Sequence, residues 1–310
     1  MKKLIIKLTS HDKKKIISAL LLLLAAVVWG AAFVAQSIAG ESVGTFTFNG
    51  IRYLIGGVCL LPMLYAQGSI RPNIEPSKIL GGVICGMALF LASTCQQGGI
   101  AAGAGAGEAG FITAFYIILV PVLGIFLGKK TTSLIWLAVF VALTGLYFLC
   151  FPSFDALSTS GISILSFADI LLLCCAFLFS VQILGIDHYA PIMSPVALSC
   201  VQFFVASIAS FVCGFFFEFL PDPAAWASSL STLNAWIPIL YTGIFSSAVG
   251  YTLQAVGQRN LNPTVASLIM SMESVFSTLF GWLILHQVLT GREALGCVLV
   301  FAAIIFAQIL

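Results

Sequence analysis

Charged side chains are scarce in this sequence of 310 residues: they make up 8% of it, whereas hydrophobic residues make up 60%. A soluble domain carries about 25% charged residues, and a chain with so few cannot cover a water-exposed surface. In hydrocarbon every backbone amide needs an internal partner, so a spanning chain forms a helix bundle or a closed barrel. Apolar runs of about 20 residues favour helices, because a barrel strand needs only about 10 alternating residues. The sequence therefore predicts an all-α integral membrane protein.

Residue groupings typical of metal, cofactor or catalytic sites are also missing from the sequence. The nine cysteines and three histidines have no metal-ligand spacing, and the apolar runs contain no paired carboxylates. The glycine-rich run 98–110 resembles a phosphate-binding loop only superficially, because it joins two apolar runs and follows no strand. The net charge of +2 is too small to favour nucleic acid. We predict no catalytic residue, no metal, no cofactor and no nucleic-acid partner.

Ten apolar runs, separated by charged residues, glycine and proline, predict ten transmembrane helices. They cover residues 16–38, 45–67, 77–99, 107–128, 131–150, 167–189, 193–217, 233–257, 263–285 and 291–310. Residues 1–15 are predicted to form a basic cytoplasmic segment, and residues 151–166 an external linker. The linker divides the spans into a first repeat, 16–150, and a second repeat, 167–310.

The distribution of basic residues predicts the orientation of these spans. Cytoplasmic loops retain an excess of Lys and Arg. With the N-terminus inside, eleven of the thirteen basic residues lie in cytoplasmic segments, six of them before the first span. We therefore expect both termini in the cytoplasm, and a multi-pass protein of the bacterial inner membrane.

The two halves align with each other at two constant offsets. Trp29-Gly30 aligns with Phe179-Ser180 at an offset of 150 residues, and Gln96 aligns with Gln254 at an offset of 158. A repeat of five spans is odd, so the second copy must lie upside down relative to the first. Inverted repeats are common in secondary transporters, where the substrate site lies near the midplane between the copies.

Several short segments resemble one known family. They are Trp29-Gly30 with Phe33, the run 48–52, Gln96-Gln97-Gly98, the run 110–113 leading to 119–121, and the run 272–276 leading through Gly281-Trp282 to Leu289-Thr290. In this order they resemble the EamA family of the drug/metabolite transporter superfamily. The resemblance implies a ten-helix inverted-repeat carrier, often an exporter of amino acids or related metabolites. It also implies that four helices of each repeat surround a central cavity and that the fifth lies outside it.

Glu273 is the most informative single residue. It lies about 10 residues, or ~15 Å, into its predicted helix and so near the middle of the membrane. A carboxylate there costs at least about 2.5 kcal/mol unless it faces a partner or a wet cavity. Three roles remain open: proton coupling, counter-ion for a substrate amine, and a paired or neutral glutamate that fixes helix packing. Relatives commonly have proline at the position of Ser274, which leaves open whether the helix kinks beside Glu273.

Arg52 lies about 8 residues into the second predicted span, or about 10 Å from its start. As a functional residue it would hold a substrate carboxylate or pair with Glu273. As a structural residue it would bond helix ends or Glu41, with its head group reaching toward the membrane surface.

A set of aromatic and amide side chains is predicted to line the cavity. Trp29, Phe33 and Gln36 are spaced i, i+4 and i+7 on one helix face. The remaining members are Phe179 and Gln182 with Ile186 on the corresponding face of the sixth span, Tyr116, Tyr251 and Gln254, and Met270 on the face of Glu273. Ordinary packing within the bundle is the alternative for each of the aromatic residues. Such a lining suits small zwitterionic or aromatic metabolites better than phosphates.

These observations favour a secondary transporter that moves small amphipathic metabolites by alternating access. An integral-membrane enzyme acting on a lipid-soluble substrate is the alternative, and a channel is a third candidate that lacks rings of charged residues. We expect a small-molecule substrate, a lipid bilayer and either a monomer or a homodimer. Pro121 is expected to bend the fourth span, because it removes a hydrogen bond to the carbonyl of Ile117.

Overall fold

The computed structural model describes residues 10–67, 76–150, 166–285 and 290–309. Helices dominate these ranges, and no strand occurs within them. The first half contains α1 (Ser10–Gly40), α2 (Thr45–Ala66), α3 (Pro76–Ala101), α4 (Ala106–Thr113), α5 (Tyr116–Phe126) and α6 (Ser133–Cys150). The second half contains α7 (Phe167–Tyr189), α8 (Pro195–Gly214), α9 (Pro223–Ser229), α10 (Leu233–Tyr241), α11 (Thr252–Gly257), α12 (Pro263–Met270), α13 (Met272–Leu285) and α14 (Gly291–Ile309). Phe215–Phe219 and Thr242–Tyr251 are π-helical, and Gln258–Asn260 is a 3₁₀ turn.

Seven stretches of the described chain are long and apolar enough to cross a membrane. They are Asp12–Gly40, Thr45–Ala66, Ile79–Ala101, Ala106–Phe126, Phe167–Tyr189, Pro195–Phe219 and Pro263–Ile284. Ser133–Phe148 is a shorter apolar helix, and the predicted spans 233–257 and 291–310 are not among the seven. Large apolar side chains face outward, for example Phe126 at 83% exposure and Phe140 at 67%. An outer surface of this kind is stable in lipid and not in water.

The first helix begins earlier than predicted. α1 starts at Ser10 rather than at residue 16, so the end of the predicted basic segment is helical. The predicted linker lies almost entirely outside the described residues, apart from its last residue, Ser166. Ser166 caps α7, because its hydroxyl accepts a hydrogen bond from the Asp169 backbone N–H at 3.1 Å.

Two of the predicted spans are broken helices. α4 and α5 are separated at Ala114 and Phe115, and α12 and α13 are separated at Ser271. At each break a backbone N–H bonds to the carbonyl three residues before it rather than four, as in Ile117 N–H to Ala114 O at 3.0 Å. Pro121 lies inside α5, after the interruption, so the predicted bend at Pro121 is separate from this break and stays a prediction.

Helices of the two halves pack antiparallel to each other. The Ser207 hydroxyl of α8 donates to the carbonyl of Gly50 at 2.9 Å, and the Cys200 thiol contacts the carbonyl of Gly57 at 3.7 Å. From the first contact to the second, the residue number rises from 50 to 57 along α2 and falls from 207 to 200 along α8. The two helices therefore run in opposite directions.

A close contact of the first half recurs in the second. A Cβ on Gly99 would lie 2.8 Å from Cγ of Leu172 and 3.2 Å from the carbonyl oxygen of Ala168. A Cβ on Gly257 would lie 2.8 Å from Cγ of Leu22 and 3.0 Å from the carbonyl oxygen of Ser18. The glycines are 158 residues apart, and their partners are 150 apart, as in the sequence alignment.

A second recurring contact reveals an insertion of one residue. Gly86 packs against the carbonyl of Gln202 and the Cβ of Val205, and Gly243 packs against the carbonyl of Arg52 and Ile55. These glycines are 157 residues apart, one fewer than Gly99 and Gly257. The extra residue of the second half therefore lies between 243 and 257, where the π-helix is found. A π-turn accommodates one more residue than an α-turn.

The helices α6 and α14 pack against each other. A Cβ on Gly145 would lie 2.8 Å from the Gly296 carbonyl oxygen, so glycine permits a close approach of the two backbones. Neither helix contributes a residue to the cavity described below.

Candidate functional site

A cavity of about 40 Å³ lies between helices of both halves. It is lined by Trp29, Ala32, Phe33 and Gln36 of α1, Arg52 of α2, Gln96 of α3, Tyr116 of α5, Phe179, Gln182 and Ile183 of α7, Ser246 and Tyr251 of the longer π-helix, Gln254 of α11, Met270 of α12 and Glu273 of α13. The cavity has the mixed apolar and polar lining of a small-molecule site.

All eleven residues predicted for the site from the sequence line this single cavity. They are Trp29, Phe33, Gln36, Tyr116, Phe179, Gln182, Tyr251, Gln254 and Met270, together with Arg52 and Glu273. Ile186, predicted on the face of Phe179 and Gln182, instead packs in an apolar cluster with Cys85. Ile183 takes its place in the lining.

Arg52 is buried, with 3% of its side chain exposed. Its guanidinium donates to Oε1 of Gln36 at 3.1 Å and to the hydroxyl of Tyr53 at 3.0 Å. It also lies over the rings of Phe48 and Tyr53, at 5.1 and 4.7 Å from their centroids. These partners are uncharged, and within the described residues Arg52 forms no ion pair with Glu273 or Glu41. Its Nε–H has no hydrogen-bond acceptor.

Glu273 lies in the first turn of α13, directly after the break at Ser271. The positive end of a helix dipole favours a carboxylate in that turn. Its Oε1 accepts a hydrogen bond from the Tyr116 hydroxyl at 2.9 Å. Tyr116 is the first residue of α5, so each broken helix contributes to this contact from the residues beside its break. The helix is thus interrupted beside Glu273 although Ser274 stands where relatives commonly have proline.

Three glutamines form a chain of hydrogen bonds at the second-half side of the cavity. The Gln254 amide donates to Oε1 of Gln182 at 3.2 Å, and the Gln182 amide donates to Oε1 of Gln202 at 3.4 Å. Oε1 of Gln254 and Nε2 of Gln202 have no protein partner. The chain therefore keeps one buried acceptor and one buried donor unused.

Trp29 contacts the π-helix at two points. Its indole N–H donates to the carbonyl of Ser246 at 3.2 Å, and its ring lies 5.0 Å from the Tyr251 ring. Gly250 provides the space for this contact, because a Cβ there would lie 2.6 Å from Nε1 of Trp29. Trp29 of the cavity lining is thereby bound to the π-helix Thr242–Tyr251.

Sequence reasoning missed four lining residues: Ala32, Gln96, Ile183 and Ser246. The alignment of Gln96 with Gln254 contained a usable signal, because equivalent positions of two repeats face the same central space. No such signal existed for Ser246, since the π-helix changes which side chains face the cavity. Within the described part of the chain, no three His, Cys, Asp or Glu residues are placed to hold a metal ion.

Comparison with known proteins identifies the family. The EamA-like transporter family matches residues 16–151 and 166–308. The chain belongs to this family. It is therefore a multi-pass membrane protein of a transporter family, as its sequence predicted.

Individual relatives of this EamA-like protein have been named as transporters. An uncharacterized transporter of Archaeoglobus fulgidus is 29% identical over 303 residues, which cover 96% of this chain and 87% of the relative. The uncharacterized transporter YetK of Bacillus subtilis is 23% identical over 89% of this chain and 82% of its own length. A WAT1-related protein of Arabidopsis thaliana is 26% identical over 46% of this chain and 36% of its own.

A solved crystal structure has the same fold as this EamA-like chain. It superposes with a TM-score of 0.75 at 18% identity, over 94% of this chain and 96% of its own. At this level of identity the likeness concerns the fold alone. The names of relatives indicate a transporter rather than an enzyme.

Proposed function

We propose that this protein is a secondary transporter that moves amino acids or related amphipathic metabolites by alternating access. One observation carries the proposal: a single buried cavity has aromatic, amide and oppositely charged walls that come from both halves of the chain. Two broken helices meet beside it through Tyr116 and Glu273. Discontinuous helices at a shared cavity are typical of secondary transporters.

We further propose that the chain forms ten spans in two inverted repeats, 16–150 and 167–310. The recurring contacts of Gly99 and Gly257 support the repeat, and the opposite directions of α2 and α8 support the inversion. In this arrangement the cavity lies near the midplane and opens to one side at a time as one repeat rocks against the other. The fifth helix of each repeat, α6 or α14, lies outside the moving parts.

The proposed location is a bacterial inner membrane, with both termini in the cytoplasm and export as the direction of transport. The excess of Lys and Arg in the segments assigned to the cytoplasm supports this orientation. Either a monomer or a homodimer is compatible with the proposal.

Glu273 is the proposed coupling residue or counter-ion of the site. Its carboxylate is buried in the cavity wall, with 7% of the side chain exposed, and one hydroxyl holds one of its oxygens. If protons drive export, this carboxylate takes up a proton on one side of the membrane and releases it on the other. Arg52 supplies the opposite charge of the same cavity.

Counterflow in proteoliposomes tests the transport function. Purified protein is reconstituted with unlabelled amino acids inside, and labelled amino acids are supplied outside. We expect saturable exchange and, with a pH gradient, faster net flux. Glu273→Gln is expected to remove the effect of the pH gradient, whereas Glu41→Gln, at an exposed position, retains it. No exchange of any compound in a broad metabolite mixture would contradict a carrier, and a turned-over lipid would favour an enzyme.

A further inference from the structure

The packing of α2 against α8 obeys a local two-fold symmetry. The hydroxyl of Ser207 bonds to the carbonyl of Gly50, and the thiol of Cys200 contacts the carbonyl of Gly57. An offset of 150 residues relates Gly50 to Cys200 and Gly57 to Ser207. Each contact is therefore the copy of the other, as expected for two antiparallel helices with a two-fold axis between them.

Two equivalent rings mark the position of that axis. Tyr53 and Phe203 stack with 5.9 Å between their centroids and 9° between their planes, and each is the ninth residue of its helix. The Ser194 hydroxyl, just before α8, donates to Oε1 of Gln67, just after α2, at 3.2 Å. The start of α8 therefore lies beside the end of α2, and equivalent positions before Tyr53 and Phe203 lie on opposite sides of the axis.

Two equivalent pairs of buried polar side chains flank this axis. Asn49 and Arg52 are related by the offset of 150 to Ser199 and Gln202. Arg52 is 3% exposed and the other three are 0% exposed. Each has at least one polar atom without a hydrogen-bond partner among the described residues: both amide atoms of Asn49, Nε of Arg52, Oγ of Ser199 and Nε2 of Gln202. The members of a pair are three residues apart and so lie on one face of their helix.

One member of each pair belongs to the central cavity, and the other lies beyond it. Arg52 lines the cavity, and Gln202 bonds at 3.4 Å to Gln182, which also lines it. Asn49 lies about one turn from Arg52 toward the start of α2, and Ser199 about one turn from Gln202 toward the start of α8. At a rise of 1.5 Å per residue, each lies about 6 Å from the axis. Asn49 and Ser199 thus stand at equal depth on opposite sides of the cavity.

Burial of these atoms without partners is unfavourable. A buried amide or hydroxyl that lacks a hydrogen bond has lost its water without replacement, and folded proteins usually satisfy such groups with a protein partner or an ordered water. An apolar side chain at either position would avoid this loss. Since Asn49 and Ser199 are 0% exposed in this structure, the partners that satisfy them come from outside the chain, as water or as a solute that passes.

We propose that Asn49 and Ser199 are the first contacts of two separate access paths, one from the cavity to each end of the bundle, and that each forms hydrogen bonds with polar groups of the passing solute. Water occupies each site when its end is open and no solute is present. This assignment rests on the proposed transport function and specifies the route through the protein. The amide and the hydroxyl are uncharged, so they exchange hydrogen bonds with water at little net free energy and release a solute from the charged cavity.

Thiol labelling from one side of the membrane at a time tests the two paths. Asn49→Cys and Ser199→Cys are made in a cysteine-free background and treated in membrane vesicles with an impermeant, sulfonate-bearing methanethiosulfonate. Asn49→Cys is expected to react only from the side that labels Ser228→Cys, an exposed position at the end where α2 begins. Ser199→Cys is expected to react only from the side that labels Lys130→Cys, an exposed position at the opposite end.

Lipid-facing cysteines at the same depths are the matched controls. The antiparallel register places position 208 opposite Asn49 and position 58 opposite Ser199. Ile208 is 62% exposed and Val58 is 50% exposed on the apolar outer surface. Ile208→Cys and Val58→Cys are expected to react at least about tenfold more slowly than the two path positions, because hydrocarbon disfavours the reactive thiolate.

Apolar variants distinguish a path from a packing defect. Asn49→Leu and Ser199→Ala remove the unpartnered atoms, so their unfolding temperatures in detergent are expected to equal or exceed that of the unaltered protein. Exchange in proteoliposomes is nevertheless expected to fall at least about fivefold in each, as for the loss of one ordinary hydrogen bond. Unchanged exchange in either variant would overturn the path assigned to that residue. These variants decide the question if a cysteine variant fails to fold.

The outcomes separate the two paths from the transport proposal. Exchange by the cysteine-free protein, with no labelling at Asn49→Cys and Ser199→Cys or with labelling of both from the same side, would overturn the paths and leave the carrier intact. Labelling of each position from both sides would show a continuous pore and overturn the separation of the paths. Labelling of each from its own side, without exchange of any compound, would support the paths and contradict the carrier.

Discussion

Gly30 marks the closest approach between α1 and α13. A Cβ at this position would lie 2.4 Å from the Cβ of Phe276 and 2.8 Å from the backbone nitrogen of Ser277. The neighbouring Trp29 belongs to the cavity wall, as does Glu273 one turn before Ser277. The absence of a side chain at this one residue therefore sets the width of the cavity between two of its walls.

Gly30→Ala is expected to separate α1 from α13 and to destabilise the protein by about 1–3 kcal/mol, the usual effect of overpacking. Thermal unfolding in detergent and the exchange rate in proteoliposomes measure the effect. Gly105→Ala is the matched control, because Gly105 has φ −65° and no atom within 4 Å of an added Cβ. Equal unfolding temperatures for the two variants would refute the close approach.

Several cavity residues could be predicted from one of two simple rules. Helical spacing puts Trp29, Phe33 and Gln36 on one face, and depth in the membrane singles out Glu273 as a carboxylate that needs a polar surrounding. The partners of Arg52 could not be predicted in this way. Gln36 belongs to another helix, so its bond to Arg52 depends on how α1 and α2 pack, and a single sequence contains no record of that geometry.

At the scale of helices, the sequence predicts existence and approximate bounds but not interruptions. Hydropathy over a window is the same for a continuous helix and for one broken at Ser271, because the break changes hydrogen bonds and leaves composition unchanged. Pro121 gave a local signal inside α5, and the interruption lies elsewhere, at Ala114 and Phe115. The π-helix Thr242–Tyr251 was visible only as a change in offset between the halves, once contacts of known geometry fixed both ends of the comparison.

Trp29 and Gly250 form a pair specific to the half with the inserted residue. In the other half Phe179 stands for Trp29 by the offset of 150, and Gly250 corresponds to Ala92 or Ser93 by the offset of 158 or 157. A Cβ on Gly250 would clash with the indole nitrogen of Trp29, and phenylalanine has no atom at that place. Trp29 and Gly250 therefore fit together at the π-helix, whereas the regular helix α3 has a residue with a side chain at the position equivalent to Gly250, opposite Phe179.

A double-mutant cycle tests this pairing. Gly250→Ala alone is expected to lower stability by about 1–3 kcal/mol through the clash, and Trp29→Phe alone by about 1 kcal/mol through loss of the hydrogen bond to Ser246. The double variant is expected to lose less than the sum, because the smaller phenylalanine ring leaves room for the new methyl group. Trp282→Phe, at a position 47% exposed, controls for loss of an indole ring. Additive effects would show that the two residues do not interact.

At the scale of the whole molecule, contacts tie the two halves together at both ends of the bundle. At one end the Glu218 carboxylate accepts hydrogen bonds from the backbone N–H groups of Phe46 and Thr47, both at 2.7 Å. Gly44 leaves space for it, since a Cβ there would lie 2.4 Å from Cδ of Glu218. At the other end Lys129 forms an ion pair with Asp187 at 2.6 Å. In the proposed alternating-access cycle only one end opens at a time, so we expect the Glu218 contact to break when one end opens and the Lys129 ion pair to break when the other opens.

The directions of the helices determine which of these ends holds the termini. α1 begins at the end opposite Glu218, because α2 starts beside Glu218 and only four residues separate it from the end of α1. α14 runs antiparallel to α6: Arg292 at its start lies over the ring of Phe148, and the Gly145 contact involves Gly296 further along. Its last residues therefore lie beside the start of α6, near Lys129. Both ends of the chain are thus expected at the end of the bundle that carries the Lys129 ion pair.

Reporters fused before residue 1 and after residue 310 are accordingly expected on the same side of the membrane, and the basic residues of that end place them in the cytoplasm. In a cysteine-free background, Ser228→Cys at the opposite end is expected to react with an impermeant maleimide in intact cells. Lys130→Cys, beside the ion pair, is expected to react only after permeabilisation, and both positions are exposed. Reporters on opposite sides would mean an odd number of spans. Two inverted copies of a five-helix unit require an even number, so that result would remove the inverted repeat and the midplane cavity that depends on it.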